Sequence, residues 1–424
     1  MYRTARYLGF MVAFCLCLAA CGGAAPSSAP TVAPAAAAAP TLGATGAPTR
    51  SDPNAITIGV SLPLTGRFGE TGAATRRGYE AWATLVNANG GLLGRPVALR
   101  VLDNASEQAT AVADYERLIT VDKVDLVVGP FSSFLVIPTS EVAARHGYAF
   151  IEPAGGAPEV FNRGLTNLFF AQPAISVQQA DPFAAYILSL PEAQRPKTFG
   201  IVSQDDTFTL SVVTQVKERL LAGGLKLVVD EVYAPTSTDF TAIANEVAKV
   251  NPDLIVGGTL QQDSVAQIQA YRQVGYQPRG AYFTSGPSLP DSFRAALGPA
   301  TNGIFSSISW FAEANTYQNH DFTSTYSQLF GGTASDIAED TANAFTVGQV
   351  LQQAVLKTRS LEQSALIKEL HSGTYQTVVG PLRFDAAGRP EGSFMILQWQ
   401  GDQVLITAPT DRAQAAPVWP KPAW

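Results

Sequence analysis

Cysteine and histidine are scarce in this sequence, which has three of each among 424 residues. All three cysteines, Cys15, Cys17 and Cys21, lie within the first 21 residues. The rest of the chain therefore has no thiol for a disulfide, a zinc thiolate site or a cysteine nucleophile. The histidines stand singly, without a second ligand at metal-binding spacing. A fold in the remaining residues must rest on a hydrophobic core, and the chain is long enough to build one.

Charge is also sparse, and positive charge is in the minority. Charged residues make up 15% of the sequence and hydrophobic residues 46%, which argues against disorder over most of the length. The 35 acidic and 28 basic side chains give a net charge of −7 at pH 7. Because such a surface repels phosphate backbones, general nucleic-acid binding is excluded.

The first 21 residues have the layout of an export signal. Arg3 and Arg6 precede an apolar run over residues 8–20, which is shorter than the roughly 20 residues that a membrane-spanning helix needs. Small residues lead up to Cys21, and this arrangement resembles the lipobox of bacterial lipoproteins. We expect cleavage before Cys21 and attachment of a lipid to its thiol. An exported protein would then be anchored to the cell membrane, facing the periplasm or the extracellular side. The alternative is a plain signal peptide with a chance cysteine.

A low-complexity segment rich in alanine and proline follows over residues 22–54. Its composition offers too little apolar surface to order itself, so it predicts a disordered tether. No run of 18 or more apolar residues occurs after it, so the sequence predicts no transmembrane span beyond the signal.

Short apolar runs and amphipathic segments alternate from Ile56 onward, and a second unit of the same kind begins near Asp181. The runs predict strands at 56–60, 97–102, 124–130, 148–151, 198–203, 225–233, 254–257, 281–284 and 303–309. Helical segments return over 322–371, and the pieces 378–384, 394–400 and 403–407 alternate like antiparallel strands. Repeated strand–helix–strand order is typical of a parallel sheet covered on both faces. The predicted fold class is therefore α/β, with two doubly wound lobes over residues 55–410.

Several stretches, in order and in register, resemble the branched-chain amino-acid-binding proteins of bacterial ABC importers. They are residues 58–66 (IGVSLPLTG), 87–95 (NANGGLLGR), 128–133 (VGPFSS), 154–158 (AGGAP), 239–240 (DF), 257–258 (GG) and 380–385 (GPLRFD). The resemblance covers about residues 55–405 and implies the type I periplasmic binding fold. In that fold two Rossmann-like lobes are joined by three hinge crossings and enclose a ligand cleft. Lobe one would comprise 55–172 plus 310–377, lobe two 173–309 plus 378–408, and 409–424 would be a tail.

The expected ligand site lies where predicted strands end. Ser132 and Ser133 follow one strand and Ala154, Gly155 and Gly156 follow the next, where hydroxyl and backbone N–H groups could hold a carboxylate. The alternatives are that the serines only cap a helix and that the glycines only form a tight turn. The resemblance adds four further ligand contacts at Thr71, Phe208, Thr259 and Ser285.

This sequence departs from the family pattern at several of those positions. Gly156 replaces a threonine, Phe208 and Thr259 replace tyrosines, and Ser285 replaces the acid that pairs the ammonium of an amino acid. A buried ammonium without a counter-charge is costly. We therefore hypothesise that the ligand departs from leucine, isoleucine and valine toward an aromatic or aliphatic carboxylate, or an amide. Three acids could still supply the missing charge, Glu152, Asp205 and Asp206.

The resemblance implies capture and delivery. The protein would bind a small molecule, amino-acid-like or one of those carboxylates or amides, by lobe closure and deliver it to an ABC permease driven by its ATPase. The alternative is a sensor subunit that signals to a membrane receptor or kinase. No catalysis, cofactor or metal is expected, since the sequence has no Gly-x-Ser-x-Gly nucleophile elbow and no phosphate-binding loop.

Overall fold

Strands and helices alternate through residues 52–424, the part of the chain that the computed structural model describes. The expected signal, Cys21 and nearly all of the expected tether lie outside these residues. The strands are β1 (Ile56–Leu62), β2 (Val97–Asp103), β3 (Leu126–Val128), β4 (Phe150–Glu152), β5 (Leu168–Phe170), β6 (Thr198–Gln204), β7 (Lys226–Tyr233), β8 (Leu254–Gly258), β9 (Gly280–Phe283), β10 (Ile304–Ile308), β11 (Tyr375–Thr377), β12 (Gly380–Leu382), β13 (Met395–Gln400) and β14 (Gln403–Ala408). The helices are α1 (Gly69–Ala88), α2 (Gln108–Thr120), α3 (Ser133–Arg145), α4 (Pro158–Phe161), α5 (Asp181–Ser189), α6 (Thr207–Ala222), α7 (Thr241–Val250), α8 (Gln262–Gln273), α9 (Pro290–Leu297), α10 (Asn319–Phe330), α11 (Glu339–Thr358) and α12 (Gln363–Ser372).

Two sheets organise the molecule. The first has the order β2-β1-β3-β4-β5, and all of its neighbours pair in parallel. The second has the order β14-β13-β10-β9-β8-β6-β7. It is parallel from β7 to β10, and β13 and β14 extend it as an antiparallel edge. The α/β fold class with two doubly wound lobes is therefore confirmed.

Burial explains why β1 is an interior strand of the first sheet. Ile56, Ile58, Val60 and Leu62 are all fully buried, and they occupy every second position of the strand. Aliphatic side chains at this spacing give one continuous apolar face, on which helices of the same lobe pack.

Helices α1 and α11 pack closely against each other over that sheet. Tyr79, Trp82 and Val86 form the buried face of α1 at helical spacing. Gly348 in α11 makes the approach possible, because a Cβ atom at this position would lie 2.2 Å from the indole of Trp82.

The hydrophobic cores show where the chain crosses between lobes. Core residues of the first lobe end at Ala171, resume at Trp310 and end again at Phe384, while Ile308 and Met395 belong to the second lobe's core. The third crossing thus follows Phe384, later than the boundary expected at residue 378. The reason is that the hairpin formed by β11 and β12 packs on the first lobe's core.

Residues 409–424, which the sequence left as a tail without a role, are fastened to the second lobe. The Trp419 indole N–H donates to the Gln194 carbonyl at 3.0 Å, and the Trp424 indole N–H donates to the Tyr276 carbonyl at 2.6 Å. Lys421 lies between them with its Nζ atom 3.7 Å from the Trp424 ring centroid, and burial lowers its pKa to about 8. The tail therefore forms part of the second lobe.

Within residues 52–424 every helix is too short or too polar to span a bilayer. The same part of the chain contains no group of three histidine, cysteine or acidic side chains placed to hold a metal ion.

Candidate ligand-binding site

A cavity lies between the two lobes, at the carboxyl ends of strands from both sheets. About 80 Å³ of it is open to the centres of water molecules, several times the roughly 10–15 Å³ that one water requires. Its lining comprises Arg67, Phe68, Thr71, Phe131, Ser132, Ala154, Gly156, Phe170, Gln172, Ser176, Gln179, Phe208, Leu260, Gln261, Thr284, Ser285, Gly286, Ser288, Leu289, Glu339, Asp340, Asn343 and Phe394. The edge of an α/β sheet where strands end is the usual place for a ligand, and the space suits a small molecule.

The structure brings six of the nine expected contact residues to this cavity. They are Thr71, Ser132, Ala154, Gly156, Phe208 and Ser285. The other three, Ser133, Gly155 and Thr259, do not line it. Each of these three is instead used to hold a cavity-lining loop in place.

Ser132 and Ser133 have different environments although they are neighbours. Ser132 directly precedes α3 and is 6% exposed, and its Oγ atom has no hydrogen-bond partner among the residues that the structure describes. Ser133 is buried, and its Oγ atom accepts from the Ala157 N–H at 3.2 Å. Ser133 therefore ties the loop after β4 to the start of α3, while Ser132 lines the cavity.

Glu152 shapes the loop that carries Ala154, Gly155 and Gly156. Its side chain is fully buried, and its Oε2 atom accepts from the N–H groups of Ala154 at 2.7 Å and Gly155 at 2.5 Å. Burial raises the pKa of this carboxyl to about 8, although the two backbone donors act in the opposite direction. Glu152 is not a lining residue of the cavity, so it does not supply the charge that the sequence left open for it.

Asp205 and Asp206, the other two acids considered, also lie outside the cavity, along a neighbouring groove. Asp206 caps α6, because its Oδ1 atom accepts from the Phe208 N–H at 2.9 Å.

Thr259 helps to hold a loop of the second lobe that lines the cavity. Its N–H donates to the Thr284 Oγ1 atom at 2.8 Å.

Apolar rings form much of the wall. The lining includes the phenylalanines Phe68, Phe131, Phe170, Phe208 and Phe394. At the rim, the guanidinium carbon of Arg67 lies 4.3 Å from the ring centroid of Phe68 and 4.6 Å from that of Phe134. Among residues 52–424, Arg67 is the sole basic residue that lines the cavity, and burial lowers its pKa.

Two acids that sequence reasoning missed begin α11 on the cavity wall, Glu339 and Asp340. The Glu339 Oε1 atom accepts from the Ser309 N–H at 2.5 Å and lies 2.6 Å from its hydroxyl. Burial raises the pKa of both acids, that of Asp340 to about 8, with the charge of Glu339 adding to the effect. The cavity wall therefore contains two acids that are not among the three that the sequence analysis considered.

Gln179 contributes a further polar atom to the cavity. Its amide nitrogen donates to the Thr284 carbonyl at 2.9 Å, which fixes the amide orientation because a carbonyl can only accept. Its Oε1 atom is buried and has no partner in the described part of the chain. No motif in the sequence pointed to Gln179, which lies in the first crossing between lobes.

Comparison with known proteins adds to this geometry. A family profile described as "Periplasmic binding protein" matches residues 55–403. The Leu/Ile/Val-binding protein BraC3 of Rhizobium johnstonii is 27% identical over 357 residues, which cover 82% of this chain and 93% of the relative. The Leu/Ile/Val-binding protein homolog 3 of Brucella melitensis is 24% identical, with 82% of this chain and 93% of the relative covered.

Solved structures share the fold. The solute-binding protein of an ABC transporter from R. palustris, in complex with benzoate, has a TM-score of 0.73 at 20% identity and covers 87% of this chain and 98% of its own. The branched-chain amino acid transporter substrate-binding protein LivJ of Streptococcus pneumoniae, in complex with isoleucine, has a TM-score of 0.72 at 19% identity. That match covers 82% of this chain and 97% of the other.

Proposed function

Because the chain belongs to the periplasmic binding protein family, we propose that it is the substrate-binding subunit of an ABC importer and captures a small carboxylate between its lobes. The family consists of solute-binding proteins and not of enzymes, which confirms the expectation that this chain catalyses no reaction. The observation that carries the proposal is the cavity between the lobes, where the buried Ser132 hydroxyl at the start of α3 has no hydrogen-bond partner among residues 52–424.

The start of α3 supports a carboxylate at this end of the cavity. A helix N-terminus carries partial positive charge and backbone N–H groups without intrahelical partners. Ser132 adds a hydroxyl donor directly before the helix, and Gly156, on the next loop, has no side chain to fill the space beside it. Both the benzoate and the isoleucine held by the two structural neighbours carry a carboxylate.

The phenylalanine rings favour a ligand that carries an apolar group next to its carboxylate. They and the two leucines of the lining, Leu260 and Leu289, would bury an aliphatic or aromatic group of the ligand. With about 80 Å³ open to the centres of water molecules, the cavity has room for a small ligand in place of several waters.

Closure and delivery complete the proposal. The Thr71 hydroxyl on the first lobe lies 3.4 Å from Gln261 Oε1 on the second, so closed lobes contact each other beside the cavity. Rotation about the three crossings would open this contact and admit the ligand. The closed protein would dock on a membrane permease with its ATPase, held near the membrane by a lipid on Cys21.

Ligand screening with a hydroxyl-deletion variant tests the proposal. A thermal-shift panel of leucine, isoleucine, valine, phenylalanine, benzoate and isobutyrate should give at least one stabilising ligand. Ser132→Ala should then weaken the affinity for that ligand by about 10- to 100-fold, since a hydrogen bond to a charged group contributes roughly 1.5–3 kcal/mol. Ser140→Ala is the matched control, because Ser140 lies on the same helix and its hydroxyl donates to the Val136 carbonyl. The proposal fails if no carboxylate of the panel binds, or if both variants bind it equally.

A further inference from the structure

The first turn of α11 places two carboxyl groups on the cavity wall, and they differ in their hydrogen bonds to the rest of the protein. Glu339 is held by both the N–H and the hydroxyl of Ser309. Asp340 also lines the cavity, and no other side chain described in the structure hydrogen-bonds to its carboxylate. Asp340 is therefore placed to accept hydrogen bonds from a ligand.

Gln179 provides a second, independent observation in the same cavity, an acceptor atom that lacks a hydrogen-bond donor. Its residue is 7% exposed, and its Oε1 atom has no partner in the residues described. A buried acceptor without a donor is unfavourable by roughly 1–3 kcal/mol, so a ligand that supplies an N–H group here gains affinity. A plain carboxylate ligand carries no such donor.

The charges that face Asp340 are negative. Glu339 stands beside it on α11 and Glu70 faces it from α1, and both raise its pKa. Arg67 lines the cavity too, but its guanidinium stacks on phenylalanine rings at the rim and interacts with Asp206 and Glu107. Two carboxyl groups near each other in a confined space favour a cation among them.

We propose that the first turn of α11, together with the Gln179 side-chain oxygen, binds a cationic amino group of the ligand, and that binding expels a proton. The inference rests on the function proposed above and narrows it to ligands with both a carboxylate and an amine. It places the cation site on the first lobe and on a residue pair that the resemblance did not supply, instead of at position 285 on the second lobe.

The release of a proton is expected because Asp340 carries one when no ligand is bound. With a pKa of about 8, Asp340 is mostly protonated at neutral pH when the cavity is empty. An ammonium group favours the charged carboxylate and lowers its pKa, so one proton leaves as the amine binds. Affinity for an amine ligand should therefore rise with pH by up to about 10-fold per unit, and level off above a pH of about 8.

Matched ligand pairs separate the amine from the rest of the molecule. The pairs are leucine with 4-methylpentanoate, phenylalanine with 3-phenylpropanoate, and 4-aminobutanoate with butanoate. Titration calorimetry in buffers of different ionisation enthalpy, from about pH 6 to about pH 8, measures affinity and proton release together. The amine member of at least one pair should bind about 10-fold or more tightly than its partner and release a proton.

Asp340→Asn keeps the shape of the side chain and removes its charge. It should abolish both the preference for the amine and the proton release, while the affinity for the deaminated partner stays within a few-fold. Asp321→Asn is the matched control, since Asp321 also stands in the first turn of a helix of the first lobe but is exposed to solvent. Circular dichroism and the melting temperature show that each variant is folded.

The outcomes separate this inference from the function on which it rests. Equal or tighter binding of the deaminated partners, or an amine preference that survives Asp340→Asn, overturns the cation site and leaves a carboxylate-binding protein. Absence of binding by all six ligands removes the proposed function and the cation site with it.

Discussion

Stability should fall as the pH rises from about 5 to about 8, and replacement of Glu152 by glutamine should remove part of that fall. Glu152 is fully buried and has a pKa raised to about 8, against an ordinary value of 4.5. The folded protein therefore keeps a proton that the unfolded chain gives up as the pH passes the ordinary value. The stability that this proton provides is complete below that value and is lost as the pH rises through the folded-state pKa.

The magnitude follows from the shift. One pKa unit corresponds to about 1.4 kcal/mol, so Glu152 costs the folded state about 3 kcal/mol at pH 7 relative to pH 4.5. Glutamine has the same shape and no charge, and its side-chain oxygen can still accept from the N–H groups of Ala154 and Gly155. Glu152→Gln should thus stabilise the ligand-free protein at pH 8 by a few kcal/mol and change it little at pH 5.

Urea denaturation of the ligand-free protein at several pH values measures this effect. Between about pH 5.5 and 7.5, each group of this kind contributes a slope of about −1.4 kcal/mol per pH unit to the free energy of unfolding. Asp340 contributes in the same direction, so the double variant with Asp340→Asn should flatten the profile further. Parallel profiles for the wild type and Glu152→Gln would refute the assignment of a buried, neutral carboxyl to Glu152.

Two further changes test the packing and the anchor. Gly348→Ala should destabilise the protein by about 1–3 kcal/mol through overpacking, because the new Cβ atom would lie 2.2 Å from the Trp82 indole. Urea midpoints measure this loss, and an unchanged midpoint would contradict the close approach of α1 and α11. Cys21→Ala should release the protein from the membrane fraction and abolish labelling by a radioactive fatty acid. Retention of the label would disprove lipidation at that residue.

The fold was largely predictable because its signal is local. Aliphatic side chains at every second position predict buried strands such as β1. Strand β5 was not predicted, although it has three residues like β3 and β4, which lie within predicted strands. Strand β12 was expected in the second lobe but packs on the first, since the choice depends on which core its side chains reach and not on their pattern.

The residues of the candidate site likewise divide into those that local sequence predicts and those that only the tertiary structure brings to the cavity. Ser132, Ala154 and Gly156 could be found because the loops after parallel strands meet at one edge of a sheet. Asp340 could not be found in this way, since it reaches the cavity only after the chain has crossed between lobes twice. Acids in the first turn of a helix are also common because they favour the helix dipole, so finding acids at these positions did not indicate a ligand site.

The fastening of residues 409–424 to the second lobe has a consequence for how the molecule moves. At the other end of the described chain, Arg95 Nε donates to the Asn54 carbonyl at 2.8 Å and holds the approach to β1 on the first lobe. The two ends of the described chain therefore travel with different lobes. The segment that precedes Asp52 is thus joined to the first lobe, and closure moves the second lobe relative to that attachment. Two fluorophores, one near Asp52 and one after Trp424, would report each closure as a change in energy transfer without touching the cavity.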